Sequence, residues 1–342
     1  MIRCHIIGET TLCIRCADAL LKHGHTILSI FSDNIEVIEW AHRHNLSVVP
    51  PHLVGDLVED KTFDYLFSIV NNTVLKMPGY AHQKIINYHD GPLPRYAGRN
   101  ASCWAILNNE NVHGITWHLV TEKIDAGDIV KQVTFPLAKE ETALSLNLKC
   151  YEQAVACFHD LLNNIERNAL SVQTQDLSQR SLYYASSRPY ANGIICWEHT
   201  AEYIERLFRA TYFGAYSNDL TTCKFFLDGQ LLVPTQLTST NLRSDLPPGT
   251  IVKIEENSGL YVSTATHLIC ISEAISIYNE TLSTAQLISR YALYQGYQLG
   301  SFNRDTHWLL QNYAKRIQPH EEVWRKQLSS IENARLLRLC KT

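Results

Sequence analysis

The chain has 342 residues, 45% hydrophobic and 19% charged, which suits a globular protein of two domains and excludes a disordered chain or a coiled coil. A formal net charge of −4 argues against a nucleic-acid or anionic-membrane surface, either of which would need a basic domain or stripe. Ten scattered cysteines, charged residues at Arg3, Glu9, Arg15 and Asp18 that interrupt any signal-peptide core, and no apolar run long enough to span a bilayer together predict a cytoplasmic protein with reduced thiols.

The first half alternates two periods. Cys4 to Gly8 reads as a buried strand, and Leu12, Cys13, Cys16, Ala17, Leu20 and Leu21 then fall on one helical face until Gly24 breaks it. Strands follow at Thr26 to Phe31, Ser47 to Val49 and Tyr65 to Val70, with a helix from Ile35 to His44. This order predicts a doubly wound parallel sheet covered on both faces. The turn "GETTLC" after the first strand has one glycine and lacks the Gly-x-Gly-x-x-Gly that lets a pyrophosphate approach, so a dinucleotide site is disfavoured. An amphipathic helix is expected from about Ala143 to Asn164, and a second after Thr200 as N-cap. From Lys224 to Ile277 short β-rich runs between turn residues predict a small antiparallel sheet or barrel. The chain then turns helical, and "HEEVWRKQLSSIENARLL" reads as a surface helix. The division expected is a catalytic domain over 1–190, a C-terminal subdomain over 191–300 and a helical tail or linker over 301–342.

The chemistry concentrates in "INYHDGPLPRYAGRNAS". Polar residues closing a strand of an open parallel sheet are site candidates, and strand alternation puts Asn87 and His89 on one side with Tyr88 opposite. Pro92, Leu93 and Pro94 restrict the turn that follows, and Gly98 is free to take conformations other residues avoid. An amide and an imidazole so placed can donate to a developing oxyanion and relay a proton; they are equally a capped strand end with a satisfied histidine. "HGITWHLVTEKIDAGDIV", from His113 to Val130, alternates like a strand, turns at Asp125 to Asp128, and resumes. Asp125 either enters the same cleft as His89 or satisfies its own turn backbone. Trp104 and Trp117 flank these positions, as cleft lining or as packing. The Cys13–Cys16 pair lies on an apolar helix face, so it reads as core rather than metal or redox, and "HRHN" (His42 to Asn45) closes a polar helix end with no partnering motif.

Taken together, "NYHDGPLPRYAG", "HGITWH" and "IDAGDI" resemble the 10-formyltetrahydrofolate-dependent formyltransferase family, which includes methionyl-tRNA, glycinamide ribonucleotide and amino-sugar formyltransferases. The resemblance covers most of residues 1 to 300. It implies a Rossmann-like parallel-sheet catalytic domain, a small OB-like barrel opening with "PPGTIVKI", and no metal. It implies a catalytic set of Asn87, His89 and Asp125, with Leu93, Pro94, Gly98 and Gly127 shaping the turns. The folate is expected against the backbone of Ser68, Ile69, Val70, Asn71 and Asn72, and of Val120, Thr121, Glu122 and Lys123. One departure stands out, because many members carry serine where this chain has Gly91.

Within the family, "SIVNNTVL" and "NASCWAILN" look like the formylating domains that open nonribosomal peptide synthetases, and the tail is similar to the linker leading into the next synthetase domain. The resemblance therefore implies an aminoacyl thioester on a carrier protein's phosphopantetheine as the acceptor, with the carrier and a following synthetase domain as partners. The alternatives are an amino-sugar nucleotide acceptor, an initiator tRNA, or a folate-binding module without catalysis. Acidic and basic residues nearly balance from residue 200 onward, which disfavours tRNA.

Overall fold

The computed structural model describes residues 1–59, 62–71, 73, 75, 85–216, 218–301 and 304–329. The chain forms two compact units, Met1–Tyr183 with Arg209–Ser217, and Tyr184–Phe208 with Asn218–Thr342.

The first unit begins β1 (Arg3–Gly8), α1 (Thr11–Lys22), β2 (Thr26–Phe31), α2 (Ile35–Arg43), β3 (Val48–Val49), a 3-10 segment (Pro51–Glu59) and β4 (Tyr65–Ile69). It continues through β5 (Ile85–His89), β6 (Ala97–Gly98), α3 (Ala101–Leu107), β7 (Val112–Leu119), β8 (Ile129–Pro136), α4 (Ala143–Glu166) and β9 (Leu182–Tyr183). The main sheet has the order β3-β2-β1-β4-β5-β7-β8. Its first five strands are parallel, as the alternating periods predict. One edge of this sheet is antiparallel: β7 runs antiparallel to β5, and β8 antiparallel to β7. The reason is local, since the short Thr121–Asp128 connection can only fold β8 back beside β7, whereas a parallel return needs a long crossover.

Side-chain alternation gives the sheet two different faces. On one, Tyr88 and Trp117 stack toward α4 through Tyr151 and Phe158, and α1 also packs on α4. On the other, Ile7, Phe31, Leu66 and Ile85 form an apolar cluster with Val54 and Phe63. Continuing along that second face, the residues change from apolar to polar: Ser68, Asn87, His89, Thr116 and His118 share the alternation of Leu66 and Ile85. The core ends where the candidate site begins.

In the second unit α5 (Ala201–Ala210) is capped by Thr200, whose hydroxyl accepts the Tyr203 N–H at 3.2 Å. β10 (Phe225–Leu227), β11 (Gln230–Ser239), β12 (Ile251–Glu255), β13 (Gly259–Val262), β14 (Ile269–Ser276) and β15 (Thr281–Ser283) form an antiparallel sheet of order β10-β11-β14-β13-β12, with β15 on β14. The segment 296–300 bridges both edge strands, Gly300 to Phe226 and Gln298 to Thr250, curling the sheet toward the expected barrel and covering edges that would otherwise be open. α6 (Thr284–Tyr291) carries a capping box from Ser283 and Gln286. α7 (Arg304–Ser329) packs on the turn Tyr190–Gly193, and Arg188 pairs with Glu321 at 3.0 Å. The remainder of the expected tail helix, residues 330–337, lies outside the described residues. No helix among the described residues is long and apolar enough to cross a membrane.

Candidate active site

Asn87 and His89 occupy alternate positions of β5 and point to the same face, as the two-residue spacing requires. The turn after them is held by more than its prolines. Thr116 on β7 donates its hydroxyl to the Gly91 carbonyl at 2.7 Å and accepts the Leu93 N–H at 3.2 Å. Gln132 on β8 donates to the Leu93 carbonyl at 2.8 Å. The Leu93–Pro94 peptide is cis. His89 Nε2 donates to the Tyr96 carbonyl at 2.7 Å, which assigns the proton to Nε2 and leaves Nδ1 facing the polar cluster.

Asp125 enters that cluster. Its backbone is left-handed, at φ 48°, and its carboxylate does not serve its own turn. One oxygen accepts the Gly98 N–H at 2.7 Å and lies 3.7 Å from His89 Nδ1; the other lies 3.4 Å from His118 Nε2. Burial is the largest influence on this carboxyl and pushes its pKa up, but His89, His118 and the Gly98 N–H together outweigh it and hold the group well below the usual carboxylate range. Asp125 is therefore a carboxylate at any physiological pH.

His118 is the residue that reading the sequence missed. Its Nδ1 donates to the Leu119 carbonyl at 2.8 Å, and the Asn87 carboxamide nitrogen lies 3.1 Å from its Nε2. The available signal was the second histidine of "HGITWH", which falls opposite Asn87 once β5 and β7 pair. Gln175 was missed as well; it donates to the carbonyls of Asp125 at 3.0 Å and Gly127 at 2.6 Å, pinning the loop from behind. Glycine is needed at two of the named turn positions. Gly98 has φ +94° and its Cα sits where an added Cβ would meet the Tyr183 carbonyl at 2.0 Å, and a Cβ on Gly127 would meet the Leu119 carbonyl at 1.8 Å. At Gly91 a Cβ would lie 2.8 Å from His89 Nε2, so the serine common at this position requires a shifted imidazole.

Trp117 does not line the cleft. It is fully buried on the opposite sheet face against Phe158 and Tyr88, because its neighbours Thr116 and His118 take the polar side. Trp104 stacks on Tyr183 at 4.5 Å. Cys13 and Cys16 are buried in α1. The two segments expected to hold folate flank β5. Ser68 is level with Asn87 and Ile69 closes β4, followed by Val70 at φ 49°; Asn71 bridges to the Thr73 backbone in both directions at 2.8 Å, and Asn72 lies outside the described residues. Val120 is level with the other end of β5, where its N–H bonds the Ile85 carbonyl at 2.9 Å and its side chain joins the apolar cluster. The following Thr121 hydroxyl donates to the Lys123 carbonyl at 3.1 Å, and Glu122 and Lys123 are exposed.

A family model described as formyl transferase matches residues 67–162, spanning the whole of this cluster, and one described as formyl transferase, C-terminal domain, matches residues 189–292. The chain belongs to the formyl transferase family. It is a 10-formyltetrahydrofolate-dependent enzyme that transfers a formyl group to an amine. A methionyl-tRNA formyltransferase of Alkaliphilus oremlandii is 25% identical over 291 residues, covering 78% of this chain and 89% of its own. Among solved structures, the N-formyltransferase from Helicobacter canadensis in complex with folinic acid and dTDP-3-aminofucose superposes with a TM-score of 0.64 at 20% identity, over 79% of this chain and 99% of its own. HypX from Aquifex aeolicus in complex with tetrahydrofolic acid gives 0.61 at 17%, over 88% of this chain and 51% of its own. At these identities the two structures establish a shared fold. In this enzyme the cluster on β5, β7 and the Asp125 turn falls wholly inside the N-terminal match.

Proposed function

We propose that Asn87, His89 and Asp125 carry formyl transfer to the α-amino group of an aminoacyl thioester held on a carrier protein, at the start of a nonribosomal peptide synthetase. The observation that carries the chemistry is the convergence of a carboxamide, an imidazole nitrogen and an obligate carboxylate, with Asp125 3.7 Å from His89 Nδ1. The unprotonated amine attacks the formyl carbon, forming the new C–N bond, and the carbonyl oxygen becomes an oxyanion. Asn87 Nδ2 donates to that oxyanion, while His89, whose Nε2–H is held by the Tyr96 carbonyl, presents its unprotonated Nδ1 beside Asp125 to the proton that the amine gives up. The proton lost by the amine passes to Asp125, directly or through water, and on to N10 of the folate as the C–N10 bond breaks. The backbones of Ser68–Asn71 and Val120–Lys123 seat the pterin on either side of β5. Gly98 and Gly127 hold the Asp125 turn, and Leu93 and Pro94 hold the turn after His89.

The carrier-bound acceptor is supported by the likeness of "SIVNNTVL", "NASCWAILN" and the tail to synthetase formylating domains, and by a near balance of charge from residue 200 onward, which disfavours tRNA. α7 exposes Trp308, Tyr313, Ile317, Val323 and Trp324, apolar side chains that a neighbouring synthetase domain in the cytoplasm could cover. An amino-sugar nucleotide is the second reading, favoured by the Helicobacter canadensis structure and its bound dTDP-3-aminofucose. The test offers 10-formyltetrahydrofolate with an aminoacyl-loaded carrier protein, a dTDP-amino sugar or methionyl-tRNA, and reads the gain of one formyl group by mass spectrometry. Formylation of the carrier-bound amino acid is expected. Formylation of the sugar or the tRNA alone would move the acceptor and leave the chemistry standing. Wild-type turnover by His89→Ala would remove the proposed mechanism.

A further inference from the structure

Away from this site, the first unit gathers three histidines and a glutamate at the far end of α1 and α4. α1 ends in "KHGH": His23 is its C-cap, Gly24 turns at φ +75°, and the His25 N–H returns to the Leu20 carbonyl at 3.0 Å. That left-handed turn brings the two imidazoles onto one side, stacked with centroids 6.0 Å apart. Glu166, the last residue of α4, meets both: its Oε1 lies 3.0 Å from His23 Nδ1 and 3.2 Å from His25 Nε2. The three ligand atoms lie within 4.8 Å of one another. His25 Nε2 is buried and forms no hydrogen bond, despite facing the carboxylate.

We propose that His23 Nδ1, His25 Nε2 and Glu166 Oε1 form a binding site for a divalent transition-metal ion of the zinc type. Two imidazoles and one carboxylate are a donor set that suits such an ion and leaves a position for water. The fourth residue supplies what a metal-bound histidine needs. His159, two turns before Glu166 on α4, places its Nδ1 3.1 Å from His23 Nε2; without the ion His23 Nδ1 donates to Glu166, and when Nδ1 gives its lone pair to the metal instead, the His23 proton moves to Nε2, where His159 Nδ1 is placed to accept it. The placement of Glu166 points the same way. A carboxylate at a helix C-terminus is disfavoured by the helix dipole, the last turn of α4 carries no basic residue, and a bound cation would offset both the side-chain charge and the exposed carbonyls. A metal here ties the α1–β2 turn to the end of α4, segments 143 residues apart in sequence.

Chelator-treated full-length protein titrated with Co²⁺ and with Zn²⁺ tests the site. Expected are one equivalent bound, weak visible bands of a nitrogen–oxygen Co²⁺ site, and a rise in melting temperature with Zn²⁺. His23→Gln and Glu166→Gln, both on the partly exposed side and so compatible with folding, should each abolish the bands, and His159→Gln should weaken affinity by about 10-fold or more. No binding, intense thiolate charge-transfer bands from the cysteines, or unchanged binding in both His23→Gln and Glu166→Gln would each overturn the proposal. None of these readouts depends on the formyl acceptor.

Discussion

Asp125 and His118 meet across a gap of 3.4 Å, and through this contact the carboxylate is held between two imidazoles rather than one. Burial raises the pKa of such a carboxyl; His89, His118 and the Gly98 N–H outweigh it and keep it ionised.

Replacing Asp125 by Asn should lower kcat for formyl transfer by about 10²- to 10⁴-fold while leaving the fold intact. The same variant has a stability signature. The folded-state pKa of Asp125 lies below the value of about 3.9 for an unfolded aspartate, so its ionisation contributes stability that is present above that value and lost as pH falls below it toward the folded pKa. Urea denaturation should show wild-type stability falling more steeply than that of Asp125→Asn between about pH 4 and pH 2. Parallel curves would mean that the histidines do not stabilise the carboxylate.

His118→Leu removes the imidazole whose Nε2 lies 3.1 Å from the Asn87 amide nitrogen and 3.4 Å from Asp125. If that contact matters for orienting Asp125 during reaction, kcat should fall roughly 10- to 100-fold with KM for the folate little changed. A fall in KM-dependent binding alone would assign His118 to substrate contact.

Gly91→Ser tests the departure from the family pattern. Its Cβ would press on His89 Nε2 at 2.8 Å, disturbing the hydrogen bond to the Tyr96 carbonyl. The expected result is a stability loss of about 1–3 kcal/mol together with reduced kcat. A more active variant would show that the imidazole can shift and that the serine hydroxyl contributes.

Gln175→Leu would strip the carbonyls of Asp125 and Gly127 of their donor. Leaving buried acceptors unpaired costs about 1–3 kcal/mol each, so a clear drop in melting temperature should accompany loss of kcat. Gln175→Glu, which keeps the shape but loses the donor, should behave like the leucine variant.

The local order of α1, β2, α2 and β4 was legible because each is a short apolar run with a single period, and the Asn87–His89 pairing followed from strand alternation alone. The turn residues Gly98 and Asp125 could be named from their motifs, but their hydrogen bond could not, because it joins segments that are neighbours only once β6, β7 and the 121–128 turn have folded. Thr116, Gln132 and Gln175 carry no local mark, and His118 shows only as the second histidine of "HGITWH"; for each, the partner is set by which strand pairs with which. The same holds for Trp117, whose side of the sheet is decided by the register of β7 against β5. Period and turn chemistry, which act over a few residues, determined the elements and the candidate chemistry; pairing across the sheet, which depends on how distant segments close, decided which polar groups converge on Asp125.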